Sequence, residues 1–409
     1  MGAPGEAASG ARAWMLVGGI AGGQLVSWGI VYYGFSLFVL PMERDLGWDR
    51  TDLNGALSLG LLAMAVAAYP VGAWIDRHGG HWVMLVGAAL SVALLLCWGR
   101  VESLAAFRAV WIGLGACMAA TLYEPAFAML NWMFRTSFRQ KIAAVTLVGG
   151  FASTVFMPIT QLLVDALGWR AALDALALIV ALTVVPIHAW LAAQERRRPP
   201  PSVDLAPRRA GWPVLREAAR RPVFWALFVS FTCYAATFTA MTFHLVPLLG
   251  ERGLPQPLVI AAISVIGPAQ VAARSVLITV ARRAPTRTVG LIVVVAMPLA
   301  VTLLWAAPGS IIAVFLFAVV YGGANGLFTI VRSAVVPDMV QRDGYATVNG
   351  ALAVPQNLAK AAGPIAAAAI WELAGGYDRV LLTVIAGAMV SAVAFWIATR
   401  VATPRHLQT

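Results

Sequence analysis

Long apolar runs separated by short polar turns dominate this chain. Twelve of them are long enough to cross a bilayer as helices. They lie at roughly Trp14–Leu40, Leu53–Trp74, Trp82–Trp98, Leu104–Phe134, Ile142–Leu167, Ala171–Ala193, Val223–Leu249, Leu258–Ala281, Val289–Ala307, Ile311–Val336, Ala346–Trp371 and Val380–Val401. Each run is continuous. A membrane β-barrel would instead show segments of about ten residues with alternating polarity. The pattern therefore predicts an all-α membrane protein with twelve transmembrane helices. The first run is too long for the h-region of a cleavable signal peptide, so no such peptide is expected.

A polar, basic, proline-rich segment interrupts the series after the sixth run. It spans residues 194–221 and carries Arg196 to Arg198, Pro199 to Pro201, Arg208-Arg209 and Arg220-Arg221. This composition predicts a linker with little fixed structure between an N-terminal six-helix bundle, residues 1–193, and a C-terminal one, residues 222–409. A weak repeat supports that division. Leu46-Gly-Trp-Asp-Arg50 precedes the second run, Leu167-Gly-Trp-Arg170 the sixth, and Gly375-Gly-Tyr-Asp-Arg379 the twelfth. Gly115 to Glu124 has the spacing of Gly323 to Arg332. Repeats nested within two halves are a property of secondary transporters.

Composition agrees. The chain is 60% hydrophobic and 11% charged, against roughly 25% charged in soluble domains. The net charge of +11 does not point to nucleic acid, because it comes from arginines in the turns. Outer turns hold Arg44, Arg50, Arg100, Arg108, Arg170, Arg252 and Arg379, and most other cations fall on the opposite side. The positive-inside rule then puts both termini in the cytoplasm. Cys97, Cys117 and Cys233 sit in apolar runs, so neither a disulfide framework nor a metal site is implied. There is no G-x-x-x-x-G-K-[ST] phosphate loop and no H-E-x-x-H. The expectation is a monomeric, non-enzymatic protein without cofactor or metal, whose partners are the lipid bilayer and a small solute.

A few polar side chains inside the runs carry the candidate chemistry. The chain has 29 basic residues, and Lys141 and Lys360 are its two lysines. Lys360 falls near the middle of the eleventh run, where a charge costs on the order of 2.5–3.5 kcal/mol and is expected to face a bundle interior or a watery cavity. Pro364 cannot donate to the Lys360 carbonyl and adds to the local polarity. A lysine that pairs structurally is the alternative. On the eighth run Gln270 and Arg274 share a face, one turn after Gly267-Pro268. Arginine offers a planar fork suited to a carboxylate, unless this one simply reaches for the membrane surface. Gln24, Trp28 and Tyr32 recur at helical spacing on the first run, with Tyr33 alongside. Tyr321, Asn325 and Phe328 do the same on the tenth. Either stripe suits a cavity wall or a plain core. Glu124 is the carboxylate placed deepest in a run. It is either a proton carrier or a structural partner, with Arg332 as its counterpart in the other half. His244 reads as a satisfied interior histidine, with a gating role as the alternative.

The segment Gly72-Ala-Trp-Ile-Asp76-Arg77-His-Gly79-Gly-His81 joins the second and third runs. Gly72 permits close helix approach and Gly79 a tight turn. Asp76 can accept hydrogen bonds from a neighbouring helix N-terminus, a contact able to break as the halves rock. The segment resembles the major facilitator superfamily signature G-x-x-x-D-R-x-G-x-[RK], with His81 in place of the last cation. Gly47-Trp-Asp-Arg50, Arg139-Gln-Lys-Ile-Ala-Ala with Gly149-Gly150, and Arg274 look like the monocarboxylate and oxalate transporter branch. The resemblance implies the major facilitator fold, two pseudo-symmetric six-helix bundles around a cavity, and secondary active transport by alternating access. It implies that Arg274 binds a substrate carboxylate. Oxalate exchangers add a lysine on the eleventh helix, where Lys360 lies. Proton-coupled members pair an acid one turn before the arginine with a lysine on the first helix. Here Gln270 holds the first position and the first run has no lysine. The pattern is thus the two-cation one, and the expected solute is a mono- or dicarboxylate, moved by exchange or symport across a bacterial inner membrane. The alternative is efflux of a drug or metalloid.

Overall fold

The computed structural model describes residues 10–134, 137–196, 210–280 and 283–402. Among these, ten helices are long and apolar enough to cross a membrane. One of them, Phe138–Gln194, is two helices joined where Gly168 leaves helical geometry at φ 76°. A further membrane-length helix, Tyr345–Ala374, is less apolar because it carries Asn349, Gln356, Asn357 and Lys360. The total is the expected twelve. In chain order they are α1 (Arg12–Leu46), α2 (Asp52–His78), α3 (His81–Trp98), α4 (Leu104–Met133), α5 (138–167), α6 (169–194), α7 (Pro222–Glu251), α8 (Pro257–Thr279), α9 (Thr286–Ala306), α10 (Ile311–Val340), α11 (Tyr345–Ala374) and α12 (Tyr377–Val401).

The L-G-W repeat is a set of helix-ending turns. Gly47, Gly168 and Gly375 all take positive φ, a region open to glycine at no steric cost. Asp49 then caps α2 by accepting from the Asp52 amide at 2.7 Å. Trp169 of the second copy donates to Asp45, which also pairs with Arg170. The short match in sequence is a recurring way to turn a chain and start the next helix.

Two compact units emerge. One comprises Met1–Val214 together with Asp343–Ala351, and the other Leu215–Arg342 and Leu352–Thr409. α11 thus contributes its first two turns to the first unit and the remainder to the second. The same pairing of helices occurs within each: α2 packs on α4, and α8 on α10. Glycines make both contacts possible. A Cβ on Gly115 would fall 1.9 Å from the Gly60 carbonyl oxygen, and one on Gly326 would fall 2.7 Å from that of Gln270.

Two local expectations change. Arg197 to Arg209 of the linker lie outside the described residues, but the segment's end is ordered. Trp212–Ala219 forms a short helix, with Val214 and Ala218 buried one turn apart. That spacing gives the segment an apolar stripe despite its basic flanks. The first run is not uniformly α-helical either: Trp28–Tyr33 forms a π-helical turn, so Gln24, Trp28, Tyr32 and Tyr33 do not follow a simple α-helical stripe.

Replacing Gly115 with alanine should prevent α2 and α4 from closing, since the new methyl meets backbone rather than a movable side chain. We expect a loss of roughly 1–3 kcal/mol or more, seen as a lower thermal unfolding midpoint in detergent. A midpoint matching the wild type would mean that the pair tolerates separation.

Candidate functional site

In the first unit the α2–α3 turn seizes the start of α11. The first amides of a helix have no intrahelical acceptor. Those of Ala346 and Thr347 donate to the Asp76 carboxylate, at 3.1 Å to Oδ1 and 2.6 Å to Oδ2. A carboxylate here also meets the positive end of the helix dipole. Hydrogen bonds to a charged group contribute roughly 1.5–3 kcal/mol each. Gly72, one turn earlier, lets the two backbones touch: a Cβ there would sit 2.2 Å from the Ala346 oxygen. Gly350 reciprocates against the Ala68 oxygen, at 2.4 Å. Gly79 closes α2 with φ 86°, its amide on the Ile75 oxygen. Arg77 is exposed. Phe138 of α5 meets Tyr345 edge-on, with ring centroids 5.8 Å apart.

Beside this junction lies a small cleft, lined by α2, α4 and the head of α11. Among the described residues, Glu124 is the one ionisable residue in its wall. It is placed there by a break in α4. Leu122 leaves helical geometry, and a new helical stretch starts at Tyr123 with Glu124 in its first turn. Pro125 has no amide to offer the Thr121 carbonyl four residues back. Gln24 supplies the missing donor across from α1, Nε2 to Thr121 O at 2.7 Å. Gln24 is 0% exposed, so its amide mends another helix.

Trp28 packs edge-on against Tyr32 at 4.9 Å and, tilted, against Tyr123 of α4 at 5.0 Å. Tyr33 joins them at 6.1 Å from Trp28 and is more exposed. Tyr123 stacks on Phe127 at 5.1 Å. The π turn brings these rings into one aromatic cluster within the unit. Tyr123 and Phe127 were not singled out in the sequence, although they flank Glu124-Pro125.

In the second unit Arg274 is 4% exposed and does not extend to the surface. Its Nε donates to the Gly326 carbonyl of α10 at 3.0 Å. The glycine-mediated approach of α8 and α10 brings that carbonyl within reach. Gln270 and Asn325 are half-buried. Tyr321 is buried, and its hydroxyl donates to the Phe238 carbonyl at 2.7 Å and meets Thr242 at 2.6 Å. Its polar group therefore ties α10 to α7. Lys360 is exposed, its Nζ 3.4 Å from Asn357 Oδ1. His244 has both nitrogens engaged, by Tyr377 OH and the Pro364 carbonyl, each at 3.0 Å. Arg332 is buried at 9% exposure.

Residues 20–364 match the family model described as Major Facilitator Superfamily. The chain belongs to that superfamily. Among curated relatives, an uncharacterized MFS-type transporter, YcxA of Bacillus subtilis, is 23% identical over 53% of each chain. Mouse monocarboxylate transporter 11 is 30% identical over 44% of this chain and 39% of its own. These alignments thus span about half or less of the relatives' lengths. Among solved structures, the transporter FucP in its outward conformation superposes with a TM-score of 0.74 at 13% identity, covering 94% of this chain and 98% of that one. The human organic anion transporter MFSD10 gives 0.72 at 19%, covering 93% and 98%. Both carry the twelve-helix fold of the superfamily. This chain is accordingly a multi-pass membrane protein of that superfamily.

Asp76→Asn should weaken the cap on α11 while leaving every cation in place. The expected outcome is slower transport with substrate affinity largely retained, because a residue that biases a conformational equilibrium need not touch the solute. Paired turnover and equilibrium-binding assays check this. Unchanged turnover with lost affinity would contradict it.

Proposed function

We propose that this major facilitator transporter carries a small organic anion, a mono- or dicarboxylate, by alternating access. Arg274 carries the reading. An ionisable residue buried inside a membrane helix is by default a candidate for a functional site, and Arg274 is 4% exposed. Its planar donor set suits a carboxylate. Lys360, at the middle of α11, adds a point charge in the same unit. Two cations in one site repel one another, and an anion between them relieves that repulsion. Such a carrier reorients more readily loaded than empty, which favours exchange over uniport. Gln270 stands one turn before Arg274, where the proton-coupled pattern needs an acid. The names of mouse monocarboxylate transporter 11 and human organic anion transporter MFSD10 point to the same class of solute.

The remaining candidates divide by what their polar atoms do. Trp28, Tyr32, Tyr33, Gln270 and Asn325 are assigned to contact with the solute. Gln24 and Tyr321, whose polar atoms serve neighbouring helices, shape the surroundings. Gly72, Asp76, Arg77 and Gly79 form the gate. Arginine distribution supports a bacterial inner-membrane orientation with both termini cytoplasmic.

Arg274→Met and Lys360→Met should each lower anion affinity by on the order of 30-fold or more, because each removes one of the two cations proposed to meet the anion. Arg274→Lys should recover part of it, restoring charge without the fork. Substrate titration of the purified variants decides this, and near-native affinity in Lys360→Met would remove it from the site. Anion exchange should also persist when a protonophore collapses the proton gradient. If the protonophore stops all flux, and Glu124→Gln makes flux independent of pH, then Glu124 carries the proton and the carrier is a symporter.

A further inference from the structure

The end of the connecting segment reaches the helix head that Asp76 caps. The buried Gly211 donates its amide to Thr347 Oγ1 at 3.2 Å. Thr347 is 0% exposed and is held from two sides: its own amide goes to Asp76 and its hydroxyl accepts from Gly211. Three residues on, Val214 is buried against the turn that starts α11. A Cβ on Gly344 would lie 2.3 Å from Val214 Cγ1, and Gly344 has φ 65°. Arg77 borders the same strap, 3.1 Å from where a Cβ on Gly211 would be. All of these residues fall in the first unit.

We propose that Gly211 to Val214 form a second latch on the gate, with Thr347 as the positioning residue that couples it to Asp76. The inference rests on the reading of the Asp76–α11 junction as a gate. A buried amide that loses its acceptor is left unsatisfied. Undocking of α11 therefore costs the Gly211–Thr347 hydrogen bond and the Val214–Gly344 packing besides the Asp76 cap. The linker in this way takes part in the conformational equilibrium. Thr347 bonds the carboxylate of α2 and the strap together, so the two restraints release as one.

The test uses the full chain with Cys97, Cys117 and Cys233 replaced and a reporter cysteine at Ala119, in the wall of the Glu124 cleft. Labelling by a membrane-impermeant maleimide is followed in inside-out vesicles. Thr347→Val keeps the side chain's shape and removes the acceptor. It should raise the labelling rate roughly fivefold, the shift expected of one lost neutral hydrogen bond. Thr347→Ser should restore the original rate, and Val214→Ala should raise labelling in the same direction as Thr347→Val. If Asp76→Asn raises labelling and Thr347→Val does not, the latch is overturned and the gate stands. If neither changes it, the gate reading falls and the latch falls with it.

Discussion

A helix that begins inside a membrane protein presents amides with no intrahelical acceptor, and something must meet them. In this transporter the Asp76 carboxylate meets those of Ala346 and Thr347. Much of the first unit's organisation serves that contact. Gly72 and Gly350 remove the side chains that would hold α2 and α11 apart. Phe138 packs on Tyr345, and Val214 fills the notch at Gly344. The bonds are strong because one partner is charged, and reversible because they are hydrogen bonds rather than covalent links. A junction of that kind suits a carrier that must hold one state and then leave it.

The broken helix α4 illustrates a second constraint. Pro125 leaves the Thr121 carbonyl without its usual donor, and within the bilayer an unmet carbonyl is expensive. Gln24 repairs it from α1. The break sets Glu124 in the wall of the cleft and turns Tyr123 toward Trp28. In the second unit the close approach of α8 and α10 gives Arg274 the Gly326 carbonyl. In both units, backbone geometry forced by proline or glycine decides where the polar side chains go.

Much of this was legible in the sequence, for identifiable reasons. Span number follows from hydropathy, and the role of Asp76 follows from the chemistry of helix N-termini joined to a short glycine turn. Gln24 reads from the sequence as part of a stripe that suits a cavity wall or a plain core, because single-helix periodicity cannot show that its partner is a carbonyl ninety-seven residues away. Tyr321 has the same history, its hydroxyl serving Phe238 on α7. The π turn at Trp28–Tyr33 leaves no signature in apolar spacing, yet it assembles the aromatic cluster. The order in Trp212–Ala219 was hidden by the basic, proline-rich residues before it. What periodicity could not reach was any feature set by a second helix.

The account rests on an anion as the transported solute. Counterflow into liposomes measures this most directly: vesicles loaded with excess unlabelled carboxylate, no ion gradient, and trace labelled carboxylate outside. A panel of mono- and dicarboxylates and a cationic drug is run in parallel. The account predicts a transient accumulation of label with at least one carboxylate and none with the drug. Accumulation with the drug alone would contradict it and make the protein an efflux carrier.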